Sequence, residues 1–170
     1  LQYDYLANPV KLVPSTAESL PVIEKNGQVY IFKIKPGIYF TDDPSFKGKR
    51  RELVAEDYVY SIKRILDPKN HAPSFSFIDN KLVGANALVD QAKKTGTFNY
   101  DAKIDGVKAL DKYTIQFKLT QPDYNFPYIL AYSTFGATAR EVVEYYKDQL
   151  GMHPVGTGPY MLSRYVPRSK

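Results

Sequence analysis

Alternating apolar and polar side chains predict two β-hairpins in this chain. Residues 28–35 place Tyr30, Phe32 and Ile34 at every second position, which is typical of a half-buried strand. An Asn-Gly pair precedes this strand, and residues 20–24 before that pair are its expected hairpin partner. Residues 107–110 and 113–119 repeat the arrangement around an Asp-Lys turn and predict the second hairpin.

Apolar positions at helical spacing predict four helices. The clearest runs over residues 55–66, where acidic side chains in the first turn and basic ones in the last suit the helix dipole, and Asp67-Pro68 ends it. The other three are expected over residues 86–94, 123–132 and 140–149. The segment Gly156–Leu162 is predicted to form a tight turn that leads into a strand. Hairpins separated by helices predict an α+β fold with a mainly antiparallel sheet.

Composition fits a single folded domain over residues 1–170. The chain is 44% hydrophobic, carries a net charge of +5 and contains no cysteine, which excludes disulfide scaffolds, thiolate zinc sites and thiol nucleophiles. Its apolar runs fall short of the roughly 18 residues of a membrane span. The chain opens on Leu1, without an initiator Met or the features of a signal peptide, so we expect a processed or excised piece of a longer protein.

The sequence offers no convincing enzyme chemistry. His71 and His153 are far apart, and neither has a second ligand at metal-binding spacing. The acidic pairs at 42–43 and 56–57 suit a turn and a helix start better than a cation site. Residues 156–158 lack the rest of a phosphate-binding loop. We therefore predict no catalytic residue, no metal and no cofactor.

One dense basic run, residues 47–51, keeps a second hypothesis open. Such a run could contact phosphates, which would make the chain a basic nucleic-acid-binding module. Acidic side chains follow at once, and a solvated loop without nucleic-acid binding is the favoured interpretation. The chain also has 15 tyrosines and 9 phenylalanines, most of which we interpret as core and cross-strand packing residues.

Six segments resemble, in their order along the chain, the family 5 extracytoplasmic solute-binding proteins. These are the oligopeptide- and dipeptide-binding components of bacterial ABC importers. The segments are YIFKIKPGIYFTDD (30–43), AEDYVYSIKRILDP (55–68), VGA (83–85), GVKALD (106–111), FKL (117–119) and PVGTGPY (154–160). The chain departs from the family pattern in the longer basic loop at residues 45–51, which separates the first two segments.

The resemblance implies a two-lobed protein that closes on a solute, most commonly a peptide. It places residues 1–170 mostly in the inserted subdomain of the first lobe of a periplasmic-binding-protein type II fold, so the second lobe would lie outside this chain. It implies a monomer in the periplasm or at the outer face of the membrane, which meets the membrane through its ABC permease or a lipid anchor. A ligand-sensing domain of a regulator, built on the same fold, is the other alternative.

The resemblance also implies where the ligand lies. In the family, the stretch after the long helix approaches the ligand cleft, and here that stretch holds His71, Ser74, Phe75 and Phe77. Phe75 and Phe77 are expected to stack on the ligand or to line its cleft. Because one surface of a two-lobed site gives only part of the contacts, the chain alone is expected to bind peptides very weakly.

Overall fold

A computed structural model describes residues 1–163 of the chain. Its architecture is α+β, with short strands in two antiparallel sheets and five α-helices. The helices are α1 (Ala55–Leu66), α2 (Phe75–Ile78), α3 (Ala85–Thr95), α4 (Phe126–Leu130) and α5 (Arg140–Tyr146). The strands are β1 (Gln2–Asp4), β2 (Lys11–Val13), β3 (Val22–Glu24), β4 (Val29–Lys33), β5 (Val107–Ala109) and β6 (Thr114–Lys118).

The main sheet has four antiparallel strands in the order β3-β4-β6-β5. Both predicted hairpins are confirmed, since β3 pairs with β4 and β5 pairs with β6. The two hairpins join through the β4–β6 pair, in which Tyr30 lies opposite Phe117 and Phe32 lies opposite Ile115. Strands β1 and β2 form a separate two-stranded sheet.

Aromatic side chains from the sheet and from α4 form the centre of the core. Tyr30 and Phe126 are fully buried, and their ring centroids lie 5.6 Å apart. Phe117 meets Phe126 edge-on at 5.4 Å and Phe32 at 5.8 Å. The Tyr30 hydroxyl satisfies its hydrogen-bonding need by donating to the backbone carbonyl of Asp123 at 2.7 Å. These contacts fix α4 against the face of β4 and β6.

Helix α1 has the predicted bounds and packs across β5 and β6. Its apolar side chains Val59, Ile62 and Ile65 are buried, as their helical spacing predicts. At its start, Asp57 accepts a hydrogen bond from the backbone N–H of Val54 at 2.8 Å, which satisfies one of the free donors of the first turn.

Three predicted elements differ from the structure. No strand follows Gly158 in the described residues, which end at Ser163. The helix expected over 123–132 is limited to α4. Residues 123–125 form a turn instead, in which the Asp123 side chain accepts a hydrogen bond from the N–H of Asn125. The helix expected over 140–149 ends at Tyr146, where a 3₁₀ turn over Lys147–Met152 begins at a residue with φ of +48°.

The β1–β2 sheet and helix α2 were not predicted. Each of the two strands has three residues and α2 has four, so none of them spans enough positions to show a period. Within residues 1–163, none of the helices combines the length and the apolar character needed to cross a lipid bilayer.

Candidate functional site

The segment after α1 forms the short helix α2, which presents its aromatic residues to different environments. Ile78 is completely buried, and Phe75 packs partly buried against the core. Phe77 points the other way and remains 43% exposed. The N–H of Phe77 donates to the carbonyl of Ser74 at 3.1 Å, so the backbone of this turn is held in place.

Phe77 belongs to a cluster of five aromatic residues, which we name the aromatic surface. Its ring lies 5.6 Å from that of Tyr132, which follows α4 and is 51% exposed. Tyr132 in turn meets the ring of Tyr3 edge-on at 5.9 Å. Tyr3 also lies 6.3 Å from Tyr128 and 6.2 Å from Tyr5. The members are Tyr3, Tyr5, Phe77, Tyr128 and Tyr132.

Tyr3 connects the separate parts of the aromatic surface. It lies on β1, and its hydroxyl donates to the backbone carbonyl of Tyr128 on α4 at 2.7 Å. Burial raises the pKa of Tyr3, and the neighbouring Tyr132, Tyr5 and Tyr128 add to that shift. The phenol therefore stays protonated at neutral pH and keeps its donor, which ties β1 to α4.

The aromatic surface offers ring faces and hydroxyl groups to a ligand or to another protein surface. Within residues 1–163, the hydroxyls of Tyr5, Tyr128 and Tyr132 make no hydrogen bond to protein atoms. Tyrosine and phenylalanine rings provide large apolar contact area, and the hydroxyls add donors and acceptors at its edge. Such a surface suits reversible recognition of peptides or other amphipathic solutes.

The four residues expected near a ligand thus have different positions. Phe77 lies in the aromatic surface, whereas Phe75 packs partly buried against the core. Ser74 is buried, with 5% of its surface exposed. His71 is exposed at the end of a 3₁₀ turn, and in the described part of the chain its side chain makes no hydrogen bond or ring contact.

Sequence reasoning missed the tyrosines of this surface. The sequence predicts a packing role for most tyrosines and assigns no role to Tyr3, Tyr128 or Tyr132, yet Tyr128 and Tyr132 are exposed. The sequence signal that could have revealed Tyr128 and Tyr132 is their helical spacing within residues 123–132. Tyr128 and Tyr132 are four residues apart and lie on a different side from the buried Phe126.

The basic run at 47–51 is only partly the solvated loop that was predicted. Lys47, Lys49 and Arg50 are exposed, and Arg50 lies 4.0 Å above the ring of Tyr39. Arg51 instead pairs with Asp57 at 2.7 Å and with Glu141 at 2.8 Å, so its charge is compensated inside the fold. Among residues 1–163, no group of three or more metal-ligating side chains comes together.

Comparisons with known proteins agree on one family. The protein-family sequence model described as "Bacterial extracellular solute-binding proteins, family 5 Middle" matches residues 11–170. The probable ABC transporter periplasmic-binding protein SapA of Escherichia coli K12 is 30% identical over 165 residues, which cover 91% of this chain and 27% of SapA. The dipeptide-binding protein of the same organism is 26% identical over 98% of this chain and 30% of its own length.

A solved structure gives the same result. The periplasmic oligopeptide-binding protein of Borrelia burgdorferi superposes with a TM-score of 0.70 at 28% sequence identity, covering 90% of this chain and 28% of that protein. The chain therefore spans between a quarter and a third of the length of these relatives.

Proposed function

This chain belongs to family 5 of the bacterial extracellular solute-binding proteins, and we propose that it is part of the binding component of an ABC importer that takes up peptides. It forms a piece of the first lobe, mostly the inserted subdomain, and the second lobe comes from sequence outside residues 1–170. The names of the relatives support a peptide ligand, since they include a dipeptide-binding and an oligopeptide-binding protein.

The observation that carries the proposal is the exposed pair of Phe77 and Tyr132. Two aromatic rings with centroids 5.6 Å apart, both about half exposed, form a platform on which a peptide side chain or peptide plane can stack. In this proposal Phe77 contacts the ligand directly. Phe75 and Ser74 position α2, and His71 lies at the edge of the same segment.

Ligand capture requires the second lobe. When two lobes close, they remove water from both sides of the ligand and shift the population towards the closed form, which the permease recognises. A piece of one lobe lacks most of these contacts. The isolated chain should therefore bind peptides far more weakly than the complete protein, with a dissociation constant well above the micromolar range.

The proposed role sets the location and the partners. The complete protein works outside the cytoplasm as a monomer and delivers its solute to the permease subunits at the membrane, to which a lipid anchor can tether it. It captures its solute without catalysing a reaction. This agrees with its family, whose members are solute-binding proteins of transporters.

The test is a peptide-binding titration of the complete protein that contains this chain. Calorimetry against a panel of di- to pentapeptides first identifies a ligand, and Phe77→Ala and Tyr132→Ala are then compared with the unaltered protein. Loss of one stacking ring should raise the dissociation constant about 2- to 12-fold, the equivalent of about 0.5–1.5 kcal/mol.

Tyr145→Ala is the matched control. Tyr145 is an exposed tyrosine on α5 whose ring contacts Tyr146 at 4.9 Å and lies outside the aromatic surface. It should leave the affinity unchanged. If Phe77→Ala and Tyr132→Ala also changed the affinity by less than twofold, the aromatic surface would not be the ligand platform. If no peptide bound the complete protein, the peptide ligand itself would be wrong.

A further inference from the structure

A polar cleft of about 1030 Å³ lies between α1, the start of α5 and the loop that precedes β5. We define it by six of its residues: Tyr60, Lys63, Tyr100, Ile104, Val107 and Arg140. None of these residues belongs to the aromatic surface. The volume is in the range of small-molecule sites, and both apolar and charged side chains line it.

Most charged side chains of the polar cleft already have partners. Arg140 donates to Asp101 at 2.5 Å and to Glu144 at 2.6 Å. Arg51 is also held by two carboxylates, as described above. Lys108 lies 3.7 Å from Asp105. These groups stabilise one another, so they leave little charge free for a ligand.

Among residues 1–163, three charged side chains of the lining make no ion pair, namely Lys63, Glu56 and Lys103, and only Lys63 of the three is buried. Lys63 lies on α1 with only 5% of its surface exposed, and its ammonium donates to the backbone carbonyl of Tyr100 at 2.8 Å. Within residues 1–163, no carboxylate lies within ion-pair distance of it. An ammonium has three donors, and one is used here. Burial lowers the pKa of Lys63, although the charges of Glu56 and Asp101 act in the opposite direction, which reflects the cost of a buried ammonium without a carboxylate in direct contact.

We propose that the polar cleft binds the carboxylate of a small zwitterionic molecule, with the Lys63 ammonium as its anchor. A carboxylate accepts charge-assisted hydrogen bonds from the donors that Lys63 leaves free and places a negative charge in direct contact with the ammonium. Glu56, on the same helix, lines the cleft without an ion-pair partner among residues 1–163, so it can receive the ligand's ammonium group.

The net charge of the side chains that line the polar cleft favours a zwitterionic ligand over a multivalent anion. Five lysine or arginine side chains and six aspartate or glutamate side chains line the polar cleft. The lining as a whole is thus slightly acidic. A dianion such as phosphate is repelled by the excess of carboxylates, whereas a molecule with one carboxylate and one ammonium is not.

Methyl NMR of the complete protein tests the proposal at the cleft itself. The methyl groups of Ile104 and Val107 line the cleft and report on it separately from the aromatic surface. Glycylglycine, acetate, methylammonium and inorganic phosphate are the probes. We expect saturable shifts of these methyl signals with glycylglycine, weaker binding of acetate, and no saturable shifts with methylammonium or phosphate.

Substitution of Lys63 then identifies the anchor. Lys63→Met should weaken glycylglycine binding at least tenfold, whereas Lys63→Arg, which keeps the charge, should stay within about threefold. Lys108→Met is the control, since Lys108 lines the same cleft but is exposed and paired with Asp105. Circular dichroism checks that each variant folds. If Lys63→Met does not fold, the affinity of Lys63→Arg for glycylglycine is the test.

Two outcomes would overturn the proposal. Equal glycylglycine affinity in Lys63→Met and the unaltered protein would show that Lys63 is not the anchor. Tighter binding of phosphate than of acetate would show that the cleft does not select a ligand carboxylate. The proposal does not depend on the aromatic surface. Phe77→Ala should therefore leave the shifts of Ile104 and Val107 unchanged.

Discussion

Asp57 accepts hydrogen bonds from both terminal nitrogens of Arg51, at 2.7 and 3.2 Å, and thereby ties the loop before α1 to the first turn of that helix. The Asp57 side chain is 3% exposed. Arg51 also donates to Glu141 on α5 at 2.8 Å. One arginine therefore holds α1, α5 and the preceding loop together.

Arg51→Ala should destabilise the fold by about 3 kcal/mol, because it leaves the buried Asp57 carboxylate without its counter-ion. Urea denaturation of the variant measures this loss as a lower midpoint with an unchanged slope. Arg50→Ala is the matched control, since Arg50 is exposed and lies over the face of Tyr39. Arg50→Ala should lower the free energy of unfolding by less than about 1 kcal/mol. Equal losses in both variants would contradict the role of the Arg51–Asp57 pair.

Glu52 should make stability depend on pH in the acid range. The Lys112 ammonium at 2.8 Å, with the Gly37 N–H and the Tyr113 hydroxyl, lowers the pKa of Glu52 from 4.5 to about 2. Since the folded pKa is the lower one, this carboxylate stabilises the fold above about pH 4.5, and the stabilisation is lost as the pH falls towards 2.

Denaturation of the unaltered chain and of Glu52→Gln at several pH values measures this effect. The difference between their free energies of unfolding should be largest at pH 7 and should shrink between pH 4.5 and 2. Glu24→Gln, on the exposed strand β3, should show no such trend. A constant difference for Glu52→Gln across the whole range would contradict the assignment.

Gly106→Ala should destabilise the protein through a steric clash. A Cβ at this position would lie 2.7 Å from both the N and O atoms of Val83, and these are backbone atoms that cannot move alone. Gly106 also donates to the carbonyl of Val83 at 2.7 Å. We expect a loss of about 1–3 kcal/mol in thermal or urea denaturation. Gly151→Ala, where a Cβ meets nothing within 4 Å, should be close to neutral.

Replacement by alanine should lower the free energy of unfolding more at Phe75 than at Phe77. Phe75 packs partly buried against the core, so Phe75→Ala should lower the free energy of unfolding by about 2 kcal/mol. Phe77 is exposed, and Phe77→Ala should change it by about 0.5 kcal/mol or less. Denaturation of the two variants side by side measures the contrast. A larger loss in Phe77→Ala would show that its ring supports the core instead of facing a ligand.

The main elements could be predicted from the sequence because their signals are local. Val59, Ile62 and Ile65 repeat within one helix, and Tyr30 and Phe32 within one strand, so each period is visible in a short window. The bounds of α1 and both hairpins follow from such windows. The turn at Asp123 was missed because its side-chain hydrogen bond to Asn125 competes with the helix, and no period reveals that competition.

The candidate site could be predicted only in part, because its members are distant in the sequence. Phe77 was identified from the family resemblance, but Tyr132 lies 55 residues later and Tyr3 lies on an unpredicted strand. Charge compensation is equally non-local. Arg51 belongs to a run of basic residues, and Glu141, which helps to neutralise it, is 90 residues away.

The pairing of β4 with β6 has a consequence for how the chain folds. Tyr30 and Phe117 lie opposite each other although they are 87 positions apart in the sequence, so the central pair of the sheet closes a loop that contains α1, α2 and α3. Closing so long a loop costs entropy before its contacts form. During synthesis β4 keeps an open edge until β6 has left the ribosome. A slow step in refolding should therefore respond to substitutions in β6 more than to substitutions in β3.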